Sequence, residues 1–137
     1  MIILFTTMLT ACNRGTSGLE YKLINDDTAY EVSVGNVNTD VVNNIIIPAK
    51  YRGKPVTSIA YHGFYGHSGM TSITIPDSAT NFGYEAFSGC SGLTSIILPK
   101  NLTYIPSGAF GGCTALTDII IPDSVRGIGH HAFTTSG

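Results

Sequence analysis

From Ile45 onward the chain alternates apolar and polar positions in short bursts, each closed by a proline: Ile45-Ile46-Ile47-Pro48, Ile73-Thr74-Ile75-Pro76, Ile96-Ile97-Leu98-Pro99 and Ile119-Ile120-Ile121-Pro122. A period of two is that of a strand with one face turned inward. Four short strands follow, with Leu93, Ile96, Leu98 and their counterparts inside. The outward positions are then Asn44, Ile46, Ser72, Thr74, Ser95, Ile97, Asp118 and Ile120. A shift of 23 residues carries Phe64 onto Phe87, Phe110 and Phe133, and Gly66 onto Gly89 and Gly112. The same shift aligns Met70, Leu93 and Leu116, and Thr71, Thr94 and Thr117.

Between the strands a second inward set recurs: Val56, Ala79, Leu102 and Val125, with Ile59, Phe82, Ile105 and Ile128. The segment from Tyr61 to Gly66 and its copies end in Ala-Phe-x-Gly and are expected to form a short helical or 3₁₀ turn on the outer side. From Pro48 to Pro76 the interval is 28, and the surplus lies in Ala49 to Pro55, where an inserted loop leaves the rung intact.

A period in the twenties centred on Leu-x-x-Ile-x-Leu marks a leucine-rich repeat. The expected fold class is α/β, a right-handed leucine-rich-repeat solenoid. It is β-rich, with short parallel strands on the concave face and short helical turns on the convex side. Strands about 4.8 Å apart give a concave face only about 14 Å across. The first rung of such a stack has no earlier neighbour to cover it, so an atypical end unit is expected. Leu19 to Leu23 and Tyr30 to Val34 alternate around the turn residues Asn25-Asp26-Asp27-Thr28, which predicts a β-hairpin; residues 19–43 are the candidate N-terminal cap. The repeats occupy 44–137, and the last is incomplete: after Phe133 the chain reaches Gly137 without a closing strand. An uncovered strand edge invites pairing. The expectation is a shortened reading frame or, in second place, self-association through this uncapped C-terminal rung.

The first residues differ in kind. Ile2 to Phe5 opens an apolar run that ends in Leu9-Thr10-Ala11-Cys12, small residues directly before a cysteine. This resembles a bacterial lipoprotein signal peptide over 1–12, and the resemblance implies a lipid on Cys12, which becomes the mature N-terminus. The run is shorter than the roughly 20 residues a spanning helix needs. No Lys or Arg precedes Cys12, so an ordinary cleaved signal stands beside the lipobox reading. Asn13 to Gly18 is small and polar, and reads as a flexible tether.

The unit x-x-Ala-Phe-x-Gly-Cys-x-x-Leu-Thr-x-Ile-x-Ile-Pro resembles the BspA-like leucine-rich repeat over residues 45–133. Departures are local: His67 stands where Cys90 and Cys113 do, Gly63 replaces the Ala, and Phe82 replaces an Ile. The resemblance implies a surface-exposed, non-enzymatic lipoprotein that acts in adhesion to host matrix proteins or other cells.

Charge and chemistry narrow the function classes. With only 12% charged residues and a formal net charge of −2, no basic surface for nucleic acid is expected. No nucleophile with a paired base, no phosphate-cradling loop and no converging carboxylates are found, so the chain is not expected to be an enzyme or to need a cofactor. His62 and His131 occupy equivalent positions about 14 Å apart, too far for one ion, and His130-His131 lacks a third ligand. No metal site is expected. Glu85 reads as alone on its rung, whereas Asp77, Lys100 and Asp123 alternate as charge balance along a stacked turn. Cys90 and Cys113 sit one rung apart, within disulfide reach, but point the same way; two buried free thiols are expected.

The concave stripe Ile46, Thr74, Ile97 and Ile120, flanked by Asn44, Ser72, Ser95 and Asp118, is the candidate contact surface for a protein partner. The alternative is a structural spacer of the cell surface with no ligand of its own, whose outward isoleucines are only good strand formers.

Overall fold

The computed structural model describes residues 15–137. In chain order the strands are β1 (Glu20–Ile24), β2 (Ala29–Ser33), β3 (Asn44–Ile46), β4 (Lys50–Tyr51), β5 (Lys54–Ile59), β6 (Ser72–Thr74), β7 (Asn81–Phe82), β8 (Ser95–Ile97), β9 (Tyr104–Ile105) and β10 (Gly127–Ile128). Together they wind a β-solenoid of about four turns. On the concave face β3, β6 and β8 pair in parallel without slippage: Ile45 lies beside Ile73 and Ile73 beside Ile96. A second parallel series runs through β2, β5 and β7, and β9 pairs with β10 in the same sense.

The interior is a set of columns, as the 23-residue step requires. Phe64, Phe87, Phe110 and Phe133 stack in sequence with centroids 5.5, 5.4 and 5.4 Å apart. The first three are fully buried, together with Ile45, Ile59, Met70, Leu93, Leu102 and Ile105. Each ring covers the next, so no rung buries its apolar side alone.

The convex segments are turns, and among the described residues no helix forms. This corrects the expectation of a helix there, while isolated i→i+3 bonds of the 3₁₀ kind do close the turns, as from Tyr65 N–H to His62 O at 3.1 Å. Their amides are used between rungs: Phe64 N–H donates to Ala86 O at 2.8 Å, Phe87 to Ala109 at 2.9 Å, and Phe110 to Ala132 at 2.7 Å. Gly66, Gly89 and Gly112 donate in the same way to Ser88, Gly111 and Thr134. A donor engaged by the neighbouring rung is not available to a carbonyl four residues back.

The fourth concave strand is the second correction: residues 118–120 form no strand. In the earlier rungs the Thr71 amide donates to Asn43 O and the Thr94 amide to Thr71 O, but the Thr117 amide turns back to Ala115 O at 3.2 Å. Position 115 supplies the cause. A Cβ on Gly92 would overlap the Ser68 carbonyl, and one on Gly69 would overlap Asp40 and come within 2.7 Å of Thr39 O. The next residue in that series is Ala115, whose methyl group forbids the same close approach.

At the other end β1 and β2 form an antiparallel hairpin, and β2 runs parallel to β5. The insertion after Pro48 folds into a second hairpin, β4 with β5, closed by Arg52 and Gly53 at φ 46° and 81°. Two successive positive φ values are those of a type I′ loop, which suits a tight hairpin. Tyr51 from this hairpin stacks on Tyr21 of β1 at 3.9 Å, 7° from parallel. Thr16 lies along the outer edge of β3: its amide donates to Ile46 O at 2.8 Å and its hydroxyl accepts from Ile46 N–H at 2.7 Å. Of the expected tether, residues 15–18 are therefore described, and Thr16 is engaged with the sheet.

Candidate functional site

The concave face is built from the outward positions of β3, β6 and β8 and from residues 118–120. Ile46, Thr74, Ile97 and Ile120 are all exposed, at 40% for Ile46, 73% for Ile97 and 87% for Ile120. Apolar exposure thus rises towards the last rung. The polar row beside it is partly tied up: Ser72 Oγ donates to Asn44 Oδ1 at 2.8 Å. Ser95 and Asp118 are exposed, and Asp118 accepts from Thr117 Oγ1 at 3.3 Å. Asp118 is the single charged side chain among residues 44–46, 72–74, 95–97 and 118–120.

Where the ladder opens between β8 and the fourth rung, a depression of about 280 Å³ lies between Ile97 and Ile120, with Thr94, Ser95 and Asp118 around it. Chemically it offers apolar contact with a carboxylate at its border, and no nucleophile with a base. Among the described residues no group of three or more His, Cys, Asp or Glu is placed to hold a metal ion. Cys12 lies outside the described residues. No helix among them is long and apolar enough to cross a membrane.

Cys90 and Cys113 are buried and unpaired with each other. Their thiols donate to backbone carbonyls of the preceding rung, Cys90 to Phe64 O at 2.9 Å and Cys113 to Phe87 O at 3.1 Å. Ser136, in the same register, donates to Phe110 O at 2.8 Å. Burial pushes the Cys90 thiol up to about 12, helped by the neighbouring Cys113, and burial pushes Cys113 to about 11. Both are weak nucleophiles in that state.

Among the described residues, a Lys–Asp ion pair and a His–Glu side-chain contact link successive rungs. Lys100 Nζ reaches Asp77 Oδ2 at 2.9 Å, and its side-chain and backbone hydrogen bonds hold the Asp77 carboxyl below its ordinary value. Glu85 is not alone on its rung: its Oε2 lies 2.8 Å from His62 Nε2 across the convex turns. Tyr61 and Tyr65 pack against the His62 ring, and Tyr84 precedes Glu85 on the next rung; all three are exposed residues that reading the strands alone passes over. The signal was present in the spacing, since His62 and Glu85 are separated by 23 residues.

Comparison with solved structures places this geometry among bacterial repeat proteins. A leucine-rich repeat protein from T. pallidum matches at 28% identity with a TM-score of 0.75, over 85% of this chain and 53% of its own. One from Bacteroides ovatus ATCC 8483 matches at 29% and 0.79, over 88% of this chain and 32% of its own. A third, from Bacteroides capillosus ATCC 29799, matches at 28% and 0.69, covering 85% and 87%. The chain therefore spans about half the length of the T. pallidum protein and a third of the B. ovatus one. No curated protein matches it. The family described as "BspA type Leucine rich repeat region" matches residues 37–137 in 6 copies. With the Phe column, the parallel concave strands and this match in agreement, the chain belongs to the BspA-type leucine-rich-repeat family.

Proposed function

We propose that this chain is the repeat region of an exported lipoprotein, held at a membrane through Cys12, whose concave face binds a protein partner in adhesion to host matrix or to other cells. The observation that carries the reading is the set of outward isoleucines ending in Ile97 and Ile120, the two most exposed apolar residues of that face. Bare isoleucine side chains gain about 25 cal/mol for each Å² that a partner covers. Neighbouring Ser95, Thr94 and Asp118 supply a polar rim for such a contact. The β1–β2 hairpin acts as the N-terminal cap, since β2 runs along β5 at the start of the stack. The small residues before Cys12, and the likeness of the repeats to those of surface lipoproteins, support export and lipid anchoring.

Retention of the chain on immobilised fibronectin, laminin and collagen, and on host cells, tests the binding. The double variant Ile97→Asp and Ile120→Asp is expected to lose retention while keeping its melting temperature. Equal binding by parent and variant overturns the concave face as the contact surface. Failure of the parent to bind anything above background favours a spacer. Incorporation of labelled palmitate into the parent, lost in Cys12→Ala, tests the anchor separately.

A further inference from the structure

We propose that the convex turns of two adjacent rungs carry a second ligand site, one for a neutral glycan, formed by Tyr61, His62, Tyr65, Tyr84 and Glu85. The three tyrosines are each more than half exposed. The His62 ring stacks on Tyr61 at 3.8 Å and leans against Tyr65 at 4.8 Å. Its Nε2 meets Glu85 Oε2 at 2.8 Å, which ties the aromatic group of one rung to the carboxylate of the next.

The solenoid does not require these residues. Ser107 and His130 occupy the register of Tyr61 and Tyr84, while Ser88, Gly111 and Thr134 occupy that of Tyr65. All four turns close with the same backbone bond: Tyr65 N–H to His62 O, Ser88 to Glu85, Gly111 to Gly108, and Thr134 to His131, at 3.0 to 3.2 Å. Aromatic side chains at these places therefore serve no shared packing need.

Backbone conformation gives an independent argument. The position shared by His62, Glu85, Gly108 and His131 is left-handed throughout, at φ 52°, 53°, 66° and 57°. Glycine suits it, and a side chain there is strained. His62 and Glu85 are held there, facing each other across the rungs. The Glu85 stem lies over Gly108, where a Cβ would come within 2.7 Å of Glu85 Cγ. The carboxylate is thus placed from both sides.

The chemistry of the five side chains selects the ligand class. Aromatic faces are electron-rich and attract weakly polarised C–H groups, such as those on the face of a pyranose ring. Phenol hydroxyls, imidazole and carboxylate around the rings offer donors and acceptors to sugar hydroxyls. There is no lysine or arginine in the cluster for a phosphate or sulfate, and Glu85 repels both. A cationic peptide would have to displace His62 from Glu85.

The full chain, applied to an array of neutral and acidic oligosaccharides, tests the site. Titration with cellohexaose, laminarihexaose and mannohexaose follows, read by tyrosine fluorescence, since the chain has no tryptophan. Retention on at least one neutral glycan is expected. Tyr61→Ala with Tyr84→Ala, and separately Glu85→Gln, should each weaken it about tenfold, the size of loss that removing stacked rings or a positioned carboxylate brings. Ile97→Asp with Ile120→Asp should leave glycan binding unchanged, which separates this site from the concave face. No retention on neutral glycans overturns the proposal. So does retention only on sulfated glycans or a tetralysine peptide, or equal binding by the parent and both convex variants.

Discussion

The Phe87 and Phe110 rings lie 4° from parallel with centroids 5.4 Å apart, one full rung from each other. Phe87 also meets Phe64 at 5.5 Å and takes the edge of Phe82 at 5.6 Å, so it has an aromatic neighbour on three sides. Phe87→Ala removes all three contacts and leaves a cavity at the centre of the column. The expected loss is about 4 kcal/mol, a large share of the stability of a domain this size. Phe133, partly exposed and stacked on Phe110 alone, should cost roughly half as much on replacement by Ala. Urea titration of both variants checks the order; equal losses would mean that the column does not transmit stability between rungs.

Stability should fall at alkaline pH. Cys90, Cys113 and Tyr21 are raised to about 12, 11 and 12 from ordinary values of 9.0, 9.0 and 10.0, in each case chiefly by burial. In the unfolded chain these groups lose their protons earlier, so the unfolded state binds fewer protons through this range and gains on the folded one. Their contribution is complete below pH 9 and declines as pH climbs towards 11 and 12. The urea midpoint should be flat from pH 7 to 8.5 and drop steadily above 9.5. Replacing both cysteines by Ala should flatten the thiol part of that drop, and native protein at pH 8 should react slowly with a thiol reagent.

Glycines in the left-handed region should separate by what surrounds them. Gly53, at φ 81°, faces open space, so Gly53→Ala carries only the conformational cost of about 1 kcal/mol. Gly108, at φ 66°, lies under Glu85 Cγ, so Gly108→Ala adds a clash to the same cost. Its loss should be the larger, and the His62 imidazole resonances should shift as Glu85 is pushed away. An undisturbed imidazole spectrum in Gly108→Ala would show that Glu85 is not seated on Gly108.

Much of this architecture is legible before any coordinates, for physical reasons that also mark where legibility stops. The Phe column and the inward Ile and Leu positions of the first three rungs follow from the 23-residue step, because each copy must bury the same side against the next; Ile128, expected to point inward, is 51% exposed. The hairpin of β1 and β2 follows from two alternating runs around Asn25-Asp26-Asp27, all three of which have positive φ. Ala-Phe-x-Gly suggests a helical convex turn because it does not reveal which neighbour an amide will choose. Thr16 pairs with Ile46 through one hydroxyl and one amide, and a single residue has no period to announce it. His62 and Glu85 could have been matched by the step, but residues of unlike type do not catch the eye as repeats. Ile119-Ile120-Ile121 reads as a strand like the other three, and the reason it is not one lies upstream.

That reason leads to a reciprocal pair of substitutions. Gly92 lets Thr94 approach the preceding rung, so that its amide donates to Thr71 O at 2.9 Å and its hydroxyl to the same oxygen at 3.1 Å. Ala115 stands in the equivalent place one rung on, and there the Thr117 amide and hydroxyl turn to Ala115 O and Asp118 instead. Ala115→Gly should let the fourth rung close onto β8: the Thr117 amide gains hydrogen-exchange protection, and the depression between Ile97 and Ile120 narrows. Gly92→Ala should do the reverse at the third rung, costing about 3 kcal/mol because the added methyl meets a backbone carbonyl that cannot move aside. If Ala115→Gly leaves Thr117 exchanging as fast as before, the methyl group is not what holds the fourth rung open.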